Sequence, residues 1–466
     1  MSNETRRWAA AIRGSQRPAY LALADALAED IQSGQLVAHQ RLPTLRVLAA
    51  ALGLNFSTVA RGYAEAERRG LLDARAGSGT YVREVLRSGP VRRAPPGTLI
   101  DMTMNMPPEP DDAALLQRLR EGLGWLASDR EVHAWLRYQP FGGQIEDREA
   151  GAQWLRDLLP ALEPSRVLIC PGAQGALLGL FTLLARPGDH IACEAVTYPG
   201  IKGLAAQLGI RLVGLPADDA GLDPEAFAAL CAADLPKALY LNPTFNNPTT
   251  AVMTPERRAA VCEIARRYNV PIIEDDPYIW LCARRPLPLA AMAPELCFYV
   301  TSFAKCLGAG LRIGYVVSPN ARYTARLSAI LRTTSVMAAP PMIRLATRWI
   351  EDGTVEAMTA AIRAESAARQ ALARRILRRA SYRSRSEAFH LWLAVPEPWT
   401  RIEFALHLRA HGVGVVVSDT FTVSGKAPAA VRVCLGGEGD RLACQHSLEI
   451  IEDAIEQAPA ITSKVM

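Results

Sequence analysis

The stretch YVTSFAKCLGAGLRIGYVV, residues 299–317, contains a lysine whose surroundings suit covalent chemistry. Lys305 follows an apolar run and Ser302, and it precedes a glycine-containing loop that leads to Arg312. Desolvation and nearby positive charge lower the pKa of such a lysine, so that it reacts as a neutral amine. One lysine after a strand indicates little. Two further motifs, NNPT at 246–249 and EDDPY at 274–278, add amides, carboxylates and a phenol, and they make the set specific.

The chain around these motifs predicts an α/β domain. After Ile100, short apolar runs alternate with helical stretches, and many runs are apolar throughout, as in a sheet covered on both faces. The predicted strands are 166–170, 190–194, 211–215, 238–241, 270–274, 297–301 and 314–317. Residues 167–185 carry no charge, but Pro171, Gly172 and Gln174 disfavour a membrane-spanning helix. This run is predicted as a buried strand followed by a buried helix.

The last part of the chain predicts a smaller α+β domain. Helical segments begin near Leu327 and include a long one near Val355–Ser381. Strands are predicted at 390–395, 413–417 and 431–435, and a helix closes the chain.

The first part of the chain predicts three helices and a hairpin. Helix signals run from Pro18 to Gly34, from Pro43-Thr44 to Gly53, and from Phe56 to Arg69, where Asn55 is a candidate cap. Residues 71–82 predict a hairpin with Gly77 and Gly79 in its turn. These elements predict a winged helix-turn-helix, in which the third helix enters the major groove and the wing lies on the DNA backbone.

Composition and charge agree with a multidomain protein that binds nucleic acid through its first part. The chain has 466 residues, of which 50% are hydrophobic and 21% charged, which excludes disordered, collagen-like and small disulfide-stapled proteins. The net charge is +5. Residues 1–82 carry ten arginines and seven acidic residues, and residues 83–93 add four arginines and one glutamate. The positive excess therefore lies in the first fifth of the chain, although such arginines can also form an ordinary solvated surface.

The cysteines and the N-terminus predict a cytoplasmic protein. The nine cysteines are odd in number, and none forms a CxxC pair, so reduced thiols are expected rather than disulfides or a zinc site. The first sixteen residues lack an apolar signal region, so no secretory signal is predicted.

Residues 41–82, RLPTLRVLAAALGLNFSTVARGYAEAERRGLLDARAGSGTYV, resemble the GntR family of bacterial regulators. The resemblance covers Leu21 to Val82. It implies contacts with double-stranded operator DNA from the helices and from the wing. The implied DNA-binding residues are Arg46, Ser57, Thr58, Arg61, Gly77, Ser78, Gly79 and Thr80. As alternatives, Ser57 and Thr58 only cap a helix, and Arg46 pairs with Glu65 or Glu67.

From about Ile100 onward, the three motifs together resemble the fold-type I aminotransferases of class I/II. The resemblance implies that pyridoxal 5′-phosphate is the cofactor and that Lys305 forms a Schiff base with its aldehyde. It implies that Asp275 pairs with the pyridine nitrogen and that Asn247 and Tyr278 donate to the phenolate oxygen. Tyr198 matches the aromatic residue that stacks on the ring.

The same resemblance implies the remaining ligand contacts. Ser302, Arg312 and the turn Gly172-Ala173-Gln174 would hold the phosphate, because backbone N–H groups at a helix start face an anion. Tyr138 would reach the phosphate of the neighbouring subunit. Arg432 would clamp a substrate carboxylate, and Asn105 would lie in the substrate loop.

Each of these residues also has a structural alternative. Asp275 can cap a strand end, Tyr198 and Tyr278 can be ordinary core residues, and Arg432 can form an ion pair. Two positions depart from the family pattern, Thr250 in place of glycine and Cys306 in place of a hydroxyl residue. Neither departure removes a cofactor contact.

A GntR-like head joined to an aminotransferase-like body resembles the MocR family of bacterial regulators. The resemblance implies three segments: a winged helix-turn-helix in residues 1–82, a linker in 83–99, and a fold-type I body in 100–466. The body would combine a mostly parallel sheet with an α+β small domain, bind the cofactor and form a homodimer. The expected function is transcriptional regulation, in which Schiff-base chemistry at Lys305 senses an amino compound or pyridoxal phosphate itself.

Two alternatives stay open. One is an active aminotransferase that carries a DNA-binding appendage, since the catalytic set is complete. The other is a body that serves only as a dimerisation scaffold, which an intact Lys305 disfavours.

Overall fold

The computed structural model describes residues 3–15, 17–32, 35–36, 40–69, 71–75, 79–82, 99–128, 132–437 and 439–457. The chain divides into two compact units, Met1–Arg93 and Ala94–Met466. Residues 83–98 of the predicted linker lie outside the described residues, and so do Gly77 and Ser78 of the predicted wing.

The first unit contains the predicted helices and hairpin and one additional helix. Its elements are α1 (Asn3–Gly14), α2 (Ala19–Gln32), α3 (Leu45–Leu52), α4 (Phe56–Arg68), β1 (Leu72–Arg75) and β2 (Gly79–Val82). Helix α1 was not predicted, although Trp8 and Ile12, four residues apart, both pack into the core of this unit. Its anchor is tertiary: Trp8 is buried, and its indole N–H donates to Asp30 at 2.8 Å.

Local signals define the helix-turn-helix. The Thr44 hydroxyl accepts a bond from the backbone N–H of Val47, and Gly53 ends α3 in the left-handed conformation with φ 64°. The Tyr63 hydroxyl of α4 donates to the Pro43 carbonyl at 3.0 Å, which holds α4 against the start of α3. The core of this unit includes Leu23, Leu48 and Val59.

The second unit is the body. Its helices are α5 (Ala113–Ser128), α6 (Val132–Trp135), α7 (Ile145–Leu155), α8 (Gly172–Leu184), α9 (Gly200–Leu208), α10 (Pro224–Ala233), α11 (Pro255–Tyr268), α12 (Leu289–Met292), α13 (Ala321–Thr334), α14 (Pro340–Glu351), α15 (Thr354–Ile376), α16 (Arg401–Ala410) and α17 (Arg441–Glu456). Its strands are β3 (Ile100–Asp101), β4 (Val167–Pro171), β5 (His190–Glu194), β6 (Arg211–Leu215), β7 (Ala217–Asp218), β8 (Gly221–Leu222), β9 (Leu239–Leu241), β10 (Ile272–Asp275), β11 (Cys297–Ser302), β12 (Ile313–Val317), β13 (Tyr382–Ser384), β14 (His390–Ala394), β15 (Val413–Gly414), β16 (Val416–Val417) and β17 (Ala430–Cys434).

Seven strands form the central sheet in the order β4-β12-β11-β10-β9-β5-β6. Strand β12 runs antiparallel to both of its neighbours, and the other pairs are parallel. The α/β prediction is therefore confirmed, and every predicted strand of this sheet is present to within two residues at each end. Because β4, β9, β10 and β11 point the same way, their carboxyl ends meet at one edge with the start of β12.

Both faces of the central sheet are covered, which explains the uninterrupted apolar runs. In β4, Val167 and Ile169 belong to one buried cluster, while Leu168 and Cys170 belong to the cluster on the other face. The uncharged run is a buried strand, β4, followed by a largely buried helix, α8, as predicted. None of the helices that the structure describes combines the length and apolar character needed to cross a bilayer.

The smaller α+β domain is also confirmed, with two differences in its elements. A four-stranded sheet has the order β13-β14-β17-β16. The predicted strand 413–417 is two strands: β15 pairs with β3, and β16 pairs with β17. The long helix α15 ends at Ile376 rather than near Ser381, because the amides of Arg378 and Arg379 turn to donate to Glu452.

Candidate functional site

Lys305 lies at the carboxyl edge of the central sheet, in a single π-helical turn, Ala304–Gly308, that follows β11. Such turns are frequent at functional sites. Burial lowers the pKa of the Lys305 amine to about 8, and the charges of Arg432 and Arg312 act in the same direction. The Nζ atom donates to the backbone carbonyl of Asn105. The lysine therefore has a fixed direction and is readily converted to the neutral amine.

Asp275 lies at the end of β10 and has one carboxylate oxygen without a partner. Its Oδ2 accepts a bond of 2.7 Å from the Tyr240 hydroxyl, whereas its Oδ1 is buried and unbonded. Burial raises the pKa of this carboxyl to about 6, so it is mostly ionised at neutral pH. A buried carboxylate oxygen without a donor is costly unless a ligand supplies one. The protonated nitrogen of a pyridine ring fits this requirement.

Asn242, after β9, ties the Asn247 loop to Asp275. Its Nδ2 donates to the Asp275 carbonyl, and its Oδ1 accepts from the Asn247 backbone N–H, both at 2.7 Å. The Asn247 Oδ1 accepts a bond of 2.8 Å from the Arg432 Nη1. The Asn247 amide nitrogen is thereby turned away from Arg432 and is the atom that can donate to a ligand.

Tyr278 and Tyr198 both belong to the site. The Tyr278 side chain is buried, and its oxygen accepts a bond of 2.8 Å from Asn105 Nδ2. The Tyr198 hydroxyl donates to Gln174 at 3.2 Å. A Cβ atom at Gly200 would lie 2.3 Å from the Tyr198 ring, so only glycine permits this ring position.

Glycines bring a helix start, a strand and an arginine together. Gly172 begins α8, and a Cβ atom there would lie 2.9 Å from Arg312 Nη2. Gly314 is the register partner of Ser302, and its added Cβ would lie 2.8 Å from the Ala173 nitrogen. The first turn of α8 carries no acidic residue. This cradle of N–H groups, one hydroxyl and a guanidinium fits a phosphate.

Arg432 is buried on β17 and contacts the loop that follows β3. Its Nη2 donates to the Thr103 carbonyl, its Nε has no partner, and its guanidinium carbon lies 5.0 Å from the centre of the Phe421 ring. The Oδ1 of Asn105 is also buried and unbonded. Arg432 and Asn105 therefore offer an unused donor and an unused acceptor, which suit the carboxylate and the amine of an amino compound.

Asp101 shapes this loop and was not predicted as a site residue. The Asp101 Oδ1 accepts bonds from the Thr103 N–H, at 2.7 Å, and from the Thr103 hydroxyl. Gly436 and Gly437 let the end of β17 approach closely: a Cβ at Gly436 would lie 2.0 Å from the Met106 carbonyl oxygen. The only sequence signal was the GG pair after β17, whose partner lies more than 300 residues away.

Two buried titratable groups near the site were also not predicted. Burial raises the pKa of Glu194 to about 8, and this carboxyl accepts a bond of 2.7 Å from Asn246 Nδ2. Burial lowers the pKa of His390 to about 3, and its ring contacts the Asn246 carbonyl at 3.3 Å. At pH 7 the His390 ring is therefore neutral and the Glu194 carboxyl is mostly neutral, and both contact Asn246, which precedes Asn247.

Tyr138 was predicted as a cofactor-site residue, but it does not lie with the other predicted site residues of this chain. It follows α6 and is 80% exposed. Its expected contact is with the phosphate in a neighbouring subunit, and that contact stays a prediction.

The candidate DNA-binding surface lies in the first unit. Arg46, Ser57 and Arg61 are exposed, Thr58 is half-buried, and the Arg61 guanidinium lies 4.0 Å from the centre of the Tyr20 ring. Gly79 and Thr80 begin β2, and a Cβ at Gly79 would lie 3.0 Å from Arg41 Nε. Arg41 thus adds a charge to the wing that the sequence analysis did not identify.

The alternative roles of these residues find no support. Glu65 pairs with Arg68 and Arg69, each at 2.8 Å, and not with Arg46. Among the described residues, Arg46 has no ion pair. Asn55 occupies the cap position of α4 without a side-chain cap bond, and Ser57 and Thr58 lie inside the helix rather than at its cap.

Comparisons with known proteins assign a family to each of the two parts of the chain. The family model of class I and II aminotransferases matches residues 98–451, and the model of the gntR family of bacterial regulatory proteins matches residues 19–82. The HTH-type transcriptional regulator YdeF of Bacillus subtilis is 30% identical over 430 residues, which are 91% of this chain and 92% of that protein. The HTH-type transcriptional regulator TauR of Rhodobacter capsulatus is 28% identical over 83% of this chain and 86% of its own.

Solved structures show the same fold as the body. LysN, an α-aminoadipate aminotransferase of Thermus thermophilus, aligns with a TM-score of 0.69 at 21% identity, over 77% of this chain and 92% of its own. The kynurenine aminotransferase of Pyrococcus horikoshii aligns with a TM-score of 0.70 at 19% identity, over 77% and 91%. At these identities the likeness establishes the fold-type I architecture.

Proposed function

The chain belongs to the class I and II aminotransferase family, in the MocR branch whose members carry a GntR-type head, and on that premise we propose that it is a transcriptional regulator. The head binds double-stranded operator DNA, and the body senses a small amino compound. The cofactor is pyridoxal 5′-phosphate.

The site residues account for each part of this cofactor. When bound, the cofactor supplies an aldehyde that condenses with amines and a ring that withdraws electrons. Lys305 would provide the amine, and Asp275 Oδ1 would accept the ring N–H. The Asn247 amide and Tyr278 would donate to the phenolate oxygen, and Tyr198 would stack on the ring. Ser302, Arg312, Gly172, Ala173 and Gln174 would hold the phosphate group.

One observation carries the regulatory proposal. Backbone carbonyls of one short loop, residues 103–105, accept hydrogen bonds from both of the cationic side chains that would bind the ligand. The Asn105 carbonyl accepts from Lys305, and the Thr103 carbonyl accepts from Arg432. A ligand that engages Lys305, or a carboxylate that takes Arg432, competes with the same backbone. This backbone continues in sequence through β3 into the linker of the head. A ligand that binds the two loop arrangements unequally shifts their populations and thereby the DNA affinity.

The test combines absorbance and DNA binding on the full-length protein. Wild type and Lys305→Ala are titrated with pyridoxal 5′-phosphate and then with amino compounds, and operator affinity is measured in parallel. We expect a visible band that depends on Lys305, and an amino compound that changes the band and the operator affinity together. A ligand that changes the band with no effect on operator affinity or promoter output contradicts the proposal.

A second candidate function is aminotransferase turnover, favoured by the complete set around Lys305. An amine with a pKa of about 8 can carry a proton in either direction near neutral pH, and Asp275 keeps the ring in its electron-withdrawing form. Continuous product formation from an amino acid and a 2-oxo acid supports this candidate, whereas a single half-reaction does not. A protein without any visible band after added cofactor supports a body that is only a scaffold.

The proposed assembly is a homodimer in the cytoplasm. Support for the dimer comes from Tyr138, whose exposed ring has an expected ligand only in a neighbouring subunit. Support for the compartment comes from the nine cysteines, all within the described residues, each a free and buried thiol.

A further inference from the structure

Two large apolar side chains of the head are exposed, and both lie at the helix-turn-helix. Val47 is 60% exposed and Phe56 is 49% exposed. Every other large apolar side chain that the structure describes in this unit is buried or half-buried. Neither residue belongs to the core cluster of the head or packs against it. The core is complete without them, so folding gives no reason for apolar residues at these positions.

Both residues lie in the first turn of a helix. Phe56 is the first residue of α4, and Val47 lies in the first turn of α3. The buried residues of α4, Val59, Tyr63 and Ala66, lie on the same face but at least three residues further along, so Phe56 extends beyond the core at the free end of this face. In a helix-turn-helix, the N-terminal residues of the second helix are the ones that reach base edges.

The charge around the two side chains fits a polyanion. Exposed Arg46 precedes Val47, and exposed Ser57 follows Phe56. The first turns of α3 and α4 contain no acidic residue. This charge favours DNA as the occupant of the surface, and the apolar side chains would then need an apolar group within the DNA.

Double-stranded DNA offers one apolar group on the base edges of the major groove, the C5-methyl group of thymine. We propose that Phe56, at the start of the helix that enters the major groove, reads a thymine methyl group in each operator half-site, and that Val47, at the start of the preceding helix, adds an apolar contact. The proposal rests on the proposed DNA binding by the head and specifies the bases that it recognises. The polar residues Arg46 and Ser57 then supply phosphate contacts or hydrogen bonds beside this apolar contact.

The experiment removes the methyl groups without changing base pairing. Duplexes that bind full-length protein are first selected from a random library. Each thymine of the selected half-site is then replaced by deoxyuridine, and affinity is measured by fluorescence anisotropy at fixed salt. Loss of one buried methyl contact is expected to weaken wild-type binding about fourfold at one or two positions per half-site.

The double variant Phe56→Ala/Val47→Ala assigns the effect. We expect it to bind the thymine and deoxyuridine duplexes equally. The matched control is Leu406→Ala, which removes a similarly exposed apolar side chain from the body and should leave the fourfold difference intact. Thermal unfolding checks that the double variant is folded, and the wild-type scan tests the proposal even if it is not.

Two results would overturn the inference. One is wild-type binding that no deoxyuridine substitution weakens, which would mean that the patch packs against protein or that the bases are read by polar groups alone. The other is a double variant that keeps the wild-type preference for thymine. Failure to select any duplex is a different result, because it contradicts the proposed DNA binding itself.

Discussion

At the scale of single residues, the unpaired oxygen of Asp275 is the strongest ligand signal in the body. Replacing Asp275 by Asn removes the charge but keeps the shape, so the ring nitrogen loses a charge-assisted bond. Such bonds contribute about 1.5–3 kcal/mol, so we expect affinity for pyridoxal 5′-phosphate to fall about tenfold to a hundredfold. Titration of the visible band measures this.

The neighbouring residue provides a matched control. Asp276 is also buried and also has one carboxylate oxygen without a partner, but its other oxygen accepts from Thr244, and its charged neighbours are Glu274 and Arg258 rather than Lys305. Asp276→Asn should leave cofactor affinity within about twofold. Equal losses in the two variants would show that the effect is general destabilisation.

Lys305 predicts a distinct pH dependence. The lysine pKa is lowered from 10.5 to about 8. The fraction of lysine in the neutral amine form therefore increases about tenfold per pH unit below pH 8 and approaches one above it. The rate of cofactor uptake, followed by the visible band, should rise to about pH 8 and then level off. Nα-acetyllysine in the same buffers corrects for titration of the cofactor. A rate that climbs until pH 10 contradicts a desolvated lysine.

At the scale of elements, the turn after β3 is the part of the body most sensitive to one side chain. Asp101→Ala removes both bonds to Thr103, each worth about 1 kcal/mol, and frees the carbonyls that face Arg432 and Lys305. We expect affinity for the amino compound to fall about fivefold to tenfold, measured by band titration.

The control is Asp112→Ala, because the Asp112 carboxylate also accepts two bonds, from the backbone N–H groups of Ala114 and Leu115 at the start of α5. This variant should bind the amino compound like wild type. If both variants lose affinity equally, the loop after β3 has no special role.

The cradle at the start of α8 makes a second prediction at this scale. A Cβ atom at Gly314 would lie 2.6 Å from the Gly172 carbonyl carbon, so Gly314→Ala forces β12 and α8 apart. We expect the preference for pyridoxal phosphate over pyridoxal to fall about tenfold or more. Gly310→Ala, where the added atom meets open space, should retain it. An unchanged preference in Gly314→Ala would place the phosphate elsewhere.

At the scale of the whole molecule, Tyr138 predicts that each site is completed by the other subunit. A Tyr138→Phe dimer should bind the cofactor about threefold to tenfold more weakly, since one hydrogen bond to a phosphate is lost. In mixed dimers with Lys305→Ala subunits, the site that retains Lys305 receives an intact Tyr138 from its partner. Its affinity should return to the wild-type value, as measured by band titration of purified mixed dimers. Affinity that stays weak shows that Tyr138 acts within its own subunit or not at all.

The sequence alone determined the architecture and most of the candidate site. The winged helix-turn-helix, the α/β body and the smaller domain depend on local periodicity, caps and glycines, which act within a few residues of one another. Lys305, Asp275, Asn247 and Arg432 each lie in a short motif that can be recognised from the adjacent residues of the sequence. These features were therefore readable without tertiary information.

Only the tertiary structure decided how the site is connected. Lys305 and Asn105 are 200 residues apart, and Arg432 and Thr103 are 329 apart, so no local pattern relates them. Asp101, Asn242 and Tyr240 act through one or two hydrogen bonds each, which leave no periodic pattern in the sequence. The exposure of Val47 and Phe56 is decided in the same way, because an apolar residue in an amphipathic helix is expected in the core until its neighbours are known.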